Sequence, residues 1–106
     1  MEPKYTYFED IAKTVESIPT ESIVSRTVCR EDGMKAIVFG FASGQELSEH
    51  TASVPAIIQI LQGEADVTLG TDRFSSGPGS WARMEANLPH SIYARTPVVM
   101  LLIMLG

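Results

Sequence analysis

Cysteine is nearly absent: Cys29 stands alone among 106 residues. That excludes an intramolecular disulfide, a thiolate metal site and a CxxC redox pair, so a packed core must hold the fold, and a reducing, cytoplasmic setting is expected. Histidine is almost as scarce, with only His50 and His90. Basic residues number 8 against 13 acidic, without a Lys/Arg cluster, which removes the electrostatic footprint of a nucleic-acid binder. Long apolar runs are missing too, since the run over 98–105 falls far short of the ~20 residues that cross a bilayer. The start, Met1-Glu2-Pro3-Lys4-Tyr5, has no basic segment followed by an apolar run. No signal peptide and no membrane partner are expected, and the chain should be soluble. A phosphate-cradling Gly-rich loop, a Ser nucleophile elbow and an HExxH helix are all lacking, and with them several common chemistries. No repeat, linker or low-complexity tract divides residues 1–106, so a single domain is expected, burying roughly two-thirds of its unfolded surface.

What is present is a series of short β-branched runs between turn residues. One stretch alone has helical spacing: Phe8, Ile11, Ala12, Val15 and Ile18 recur at three- and four-residue intervals before Pro19. It predicts a helix over Phe8 to Ile18, with residues 1–20 covering a sheet end and 21–106 forming a β-barrel. Strands are expected at Ser22 to Arg30 and Met34 to Ala42, joined by the turn Glu31-Asp32-Gly33, then at Ala56 to Gln62, Ala65 to Leu69, Ser80 to Met84, His90 to Arg95 and Val98 to Leu105. Such strands spaced by Gly, Pro, Asp and Ser turns predict an all-β sandwich or barrel. The last of them does not alternate and needs cover on both faces. A second sheet supplies one cover and a second subunit the other, so a homodimer is expected, with a sheet face and residues around Ser22 to Val28 at its interface.

The segment from Gly44 to Gly63 resembles the first conserved motif of the cupins, G(X)5HXH(X)3,4E(X)6G. Gly44, His50 and Gly63 match, whereas the second histidine falls on Ala52 and the glutamate on Ala56. The second motif, G(X)5PXG(X)2H, fits Gly79 through His90, with its proline and second glycine falling on Glu85 and Asn87. The chain thus resembles a small single-domain cupin of the conserved-barrel type with degenerate metal motifs. The resemblance, which covers about half the chain, implies a double-stranded β-helix, or jelly-roll. It says little about activity, because cupins include dioxygenases, isomerases, decarboxylases, storage proteins and sensors.

An intact cupin site of three imidazoles and a carboxylate suits Mn, Fe, Ni, Cu or Zn. Here His50 and His90 remain, expected to face one pocket whose wall is Ala52, Ala56, Ile58 and Met84. Two imidazoles hold metal weakly, so Mn, Fe, Ni or Zn would be bound loosely unless Glu46 supplied a third ligand. A regular strand turns Glu46, Ser48 and His50 to one face and Gln45 and Glu49 to the other; a bulge reverses this. Ala52→His with Ala56→Glu is expected to raise metal affinity. Gln59 is expected on the face opposite Ala56, its amide bonded to backbone or to a dimer mate, and Glu85 on the rim or in the pocket. Trp81, Met84, Tyr93 and Met100 are candidates for pocket or core lining, and Cys29 for a packed small hydrophobe. The favoured function is that of a cupin that binds or senses a small molecule in a mostly apolar pocket. The alternatives are a small-molecule enzyme using His50 and His90, with metal or as general base, and a structural dimer without ligand.

Overall fold

The computed structural model describes residues 4–106. Nine strands follow one short helical turn: β1 (Ile23–Glu31), β2 (Met34–Phe41), β3 (Glu46–His50), β4 (Ala56–Gln62), β5 (Ala65–Leu69), β6 (Asp72–Ser76), β7 (Trp81–Met84), β8 (His90–Ala94) and β9 (Val98–Leu105). They form a five-stranded sheet in the order β1-β2-β9-β4-β7 and a four-stranded sheet in the order β3-β8-β5-β6. All pairings are antiparallel. The expected all-β jelly-roll is thus the architecture, with two additional strands. Those two, β3 and β6, are the edges of the smaller sheet and carry one large apolar residue apiece, Leu47 and Phe74.

Between the sheets lies the main core. Alternate residues of β4 (Ala56, Ile58, Ile60), β9 (Val98, Met100) and β8 (Ile92, Ala94) meet there with Phe41, Val67 and Met84, as the two-residue period requires. Met84 and Met100, two of the residues flagged by sequence, are core, whereas Tyr93 and Trp81 are exposed. A second cluster lies on the outer face of the larger sheet, where Ala12 and Val15 pack on Val38 and Val99, flanked by Ile11, Ile18, Val24 and Leu101. This explains the unbroken apolar run in β9. Inserted between β2 and β4, it turns Val98, Met100 and Leu102 to the core, and Val99 and Leu101 to the N-terminal segment.

That N-terminal cover is shorter than its periodicity suggests. Instead of a helix over Phe8 to Ile18 there is a 3-10 turn, Ile11–Val15. Asp10 caps it by accepting from the Ala12 N–H at 3.2 Å, and the Thr14 hydroxyl donates to the Ile11 carbonyl at 2.8 Å. A hydroxyl bonded back to the main chain competes with helical bonding, and Pro19 follows closely. The apolar spacing still serves its purpose, because one turn suffices to lay Ala12 and Val15 on the sheet. Gly40 gives the segment room: a Cβ there would lie 2.8 Å from Ile18 Cγ1.

The motif glycines explain the barrel's corners. Gly44, Gly63 and Gly79 all have positive φ, and Asn87, in the place of another, has φ 67°. Asn tolerates this left-handed conformation better than other side-chain-bearing residues. At Gly63 (φ 86°) nothing larger than hydrogen fits, because a Cβ would lie 2.0 Å from the Pro97 carbonyl oxygen. The glycines of both motifs thus stand where the backbone turns with positive φ, and Asn87 takes the same conformation in a glycine's place.

Candidate functional site: an imidazole pair and an apolar groove

Register decides which side chains face inward. On β3 and β8, Leu47 pairs with Ile92 and His50 with His90, so three steps on β3 match two on β8, and a bulge takes up the extra residue. Leu47 and His50 therefore share the inner face with Ile92 and His90, and Glu46 turns outward opposite Tyr93. The third ligand considered from sequence is thus not at the site. Glu46 is exposed on the outer face of the smaller sheet, beside Asp66, Thr68, Arg73 and Ser91.

The structure brings His50 and His90 together, with ring centroids 4.1 Å apart and ring planes at 58°. His90 is buried and His50 exposed. His50 Nδ1 lies 2.9 Å from the Ser48 carbonyl oxygen and His90 Nδ1 2.8 Å from that of Leu88. A carbonyl only accepts, so each Nδ1 carries the hydrogen and donates, which leaves each Nε2 lone pair for a proton, a ligand or a metal.

The other expected residues do not complete a ligand set. Ala52 lies in the loop after β3, where its carbonyl accepts from the Asn87 N–H at 2.7 Å. That bond ties the loop after His50 to the loop before His90. Ala56 and Met84 are each 2% exposed and pair across β4 and β7, closing the carboxylate's place with packed core. Glu85 is an exposed loop carboxylate, and Gln59 lies between Leu101 and Trp81 in register, on the face opposite Ala56. Among the described residues no three of His, Cys, Asp and Glu come together as a metal-holding group. Two imidazoles do not fit the three- or four-donor set of a resident metal.

Beyond His90 in the same row of the smaller sheet stands Leu69, its register partner on β5. Leu69 is also the near end of a groove of about 320 Å³. The groove opens between the edge strands β6 and β7, where the two sheets part. Its floor and walls are Ile58, Ile60, Val67, Leu69, Phe74 and Ala82; Ser75, Ser76, Ser80 and Trp81 border it. Of the residues expected from sequence to line a pocket, Ile58 lines it and Trp81 borders it. Sequence reading missed Phe74, Val67, Leu69 and the serines. The one available signal was Phe74 itself, a lone large apolar residue in the polar stretch Asp72–Ser76.

On the opposite face of the smaller sheet, Asp66 is 5% exposed and accepts from Arg73 Nη2 at 2.8 Å and from Arg95 Nη2. The Arg95 hydrogen bond, followed by that of Arg73, holds the Asp66 carboxyl below its ordinary value. This cluster pins β6 and the turn after β8 onto β5, away from the groove.

No protein-family model matches the chain, and no curated protein matches it. Solved structures do. A cupin superfamily protein from Desulfitobacterium hafniense superposes with a TM-score of 0.83 at 24% identity, over 99% of this chain and 98% of that one. A conserved protein of unknown function from Streptococcus pyogenes gives 0.80 at 26%, over 100% and 90%. A cupin 2 conserved barrel domain protein from Leptotrichia buccalis gives 0.79 at 28%, over 88% of this chain and 45% of that one. By fold, the chain is a small cupin domain. Among the described residues no helix is long and apolar enough to cross a membrane.

Proposed function

We propose that this small cupin domain binds a small organic molecule in the groove between β6 and β7, with the His50–His90 pair one side chain away, beyond Leu69. The observation that carries this reading is the groove itself. At about 320 Å³ it lies at the small end of the range of ligand sites. Its floor is made of core side chains that water would otherwise wet at a cost. The sequence contains one tryptophan, Trp81, and it stands at the groove, so its emission reports occupancy. Titration with the neutral dye N-phenyl-1-naphthylamine is expected to raise dye emission and quench Trp81. Ala82→Phe, which fills the groove from its wall, should weaken both by about tenfold, the cost of displacing a buried ring. Equal binding by wild type and Ala82→Phe overturns the reading.

The free Nε2 atoms support a second reading, a small-molecule enzyme using His50 or His90 as general base. The two readings part on His90→Gln, which leaves dye binding intact in both but abolishes turnover only in the second. A homodimer is also proposed. Its support is the half-buried apolar row Ile57, Leu101 and Ile103 on the outer face of the larger sheet, of which only Leu101 reaches the N-terminal cover.

A further inference from the structure

The groove's chemistry narrows what it takes, granted the binding reading above. None of its lining residues is charged. The nearest ion-paired cluster, Asp66 with Arg73 and Arg95, lies on the other face of the sheet. The one charge on the inward row of β6, Asp72 opposite Leu69, is exposed to water and does not line the groove, so a carboxylate, phosphate or ammonium entering it would lose hydration without a buried partner. A sugar fares little better, since hydroxyls on every face of its ring would meet Ile58, Val67 and Leu69 unpaired.

One lip of the groove carries an aromatic ring. Phe74 belongs to the inward row of β6 through its pairing with Val67, yet is 50% exposed, whereas Trp81 belongs with Gln59 to the outward row of the larger sheet and only borders the groove. A large ring left open to water beside an apolar slot offers a π face to a flat or cyclic guest, which gains from ring geometry beyond its area. The polar groups at the border are neutral hydroxyls. Ser76 is buried, its Oγ 3.4 Å from the Phe74 carbonyl, and Ser80 is half-buried. They suit a single hydroxyl or carbonyl substituent.

We infer that the groove is a site for an uncharged, ring-bearing molecule of small size. Its ring stacks on Phe74 over the apolar floor, and one polar substituent points to Ser76 and Ser80.

Four matched probes test this in the full chain: benzyl alcohol, benzoate, benzylammonium and 1-hexanol, each titrated against Trp81 emission and checked by saturation-transfer NMR. Benzyl alcohol should bind, and the two charged analogues should bind at least about tenfold more weakly for want of partners. Hexanol, with the same hydroxyl and no ring, should be weaker by about three- to tenfold. Phe74→Leu keeps apolar bulk at a half-exposed position and should weaken benzyl alcohol alone, leaving hexanol and the melting temperature unchanged. Comparable binding of benzoate or benzylammonium overturns the uncharged class. Equal binding of hexanol, or no effect of Phe74→Leu, overturns the ring. If all four fail while N-phenyl-1-naphthylamine still binds wild type and not Ala82→Phe, the ligand class is wrong and the groove remains a site. If the dye fails as well, both readings fall.

Discussion

The main-chain N–H of Asn87 donates to the carbonyl of Ala52 at 2.7 Å, so the loops that follow His50 and precede His90 are bonded directly to each other. The main chain thereby holds the two histidines side by side, and the residues at the other two motif ligand positions have separate roles. Ala52 serves through its backbone, and Ala56 through its lack of bulk against Met84.

Metal titration follows from this. Chelator-treated wild type is expected to bind nickel weakly, and His90→Ala to remove that binding. Ala52→His, in a half-buried loop beside the pair, should raise affinity by about tenfold or more, as an added ligand does. Ala56→Glu would place a carboxylate where 2% of the residue meets solvent, so it should cost about 3 kcal/mol or more in urea unfolding. Tight binding by wild type, measured by calorimetry, contradicts this account of the site.

Gly63→Ala is expected to destabilise by about 2–4 kcal/mol, since it combines a left-handed φ with a blocked Cβ position at the Pro97 carbonyl. Asn87→Gly, which relieves the other motif turn, should be neutral or stabilising by a few tenths of a kcal/mol. Denaturant midpoints at constant slope measure both.

The pH dependence rests on Asp66. Its carboxyl is held below the ordinary value by Arg95 and Arg73. A depressed folded value means stability that is present above the unfolded value, about 3.9. That stability is lost as pH falls through the folded value. Asp66→Asn should therefore flatten the acid limb of stability against pH, and Arg95→Met should steepen loss of β6 pairing in hydrogen exchange at neutral pH. An unchanged acid limb in Asp66→Asn would assign the acid sensitivity elsewhere.

Sedimentation at micromolar concentration is expected to give twice the chain mass. Ile103→Lys places a charge in the half-buried outer row and should give monomers with a native melting profile, at a cost of about 1 kcal/mol or less in the separated chain. A monomeric wild type removes the dimer.

How much of this was legible beforehand varies strand by strand. Strands β4, β5 and β9 were readable to the residue, because apolar and β-branched side chains predominate in each and turn residues or the chain's last glycine bound them. Strand β6 was not, since Asp72–Ser76 offers Phe74 and nothing else to alternate. The histidine pairing was legible from motif spacing. The direction of Glu46 was not, because one extra residue in β3 sets it, and periodicity cannot register a bulge. The groove escaped for another reason: its lining comes from four consecutive strands divided between two sheets, so it depends on how the sheets part, and its polar members are serines, which mark no site on their own.

The bulge in β3 makes an unusual statement about chain length. Elsewhere in a half-buried strand, removing one residue turns every following side chain inside out. Between Leu47 and His50 the effect is reversed, since that stretch is one residue longer than its counterpart from Ile92 to His90. Deleting Ser48 or Glu49 would straighten the strand and leave Leu47 and His50 facing inward, whereas the same deletion one strand away, in β8, would expel His90. Like the bulges between Thr27 and Cys29 in β1 and between Ile60 and Gln62 in β4, that interval is a place where a codon can be lost with the pairing on either side intact. Natural variation in length should collect at these bulges, and a library of single-residue deletions scored by folding would show them as tolerant positions within paired sheet.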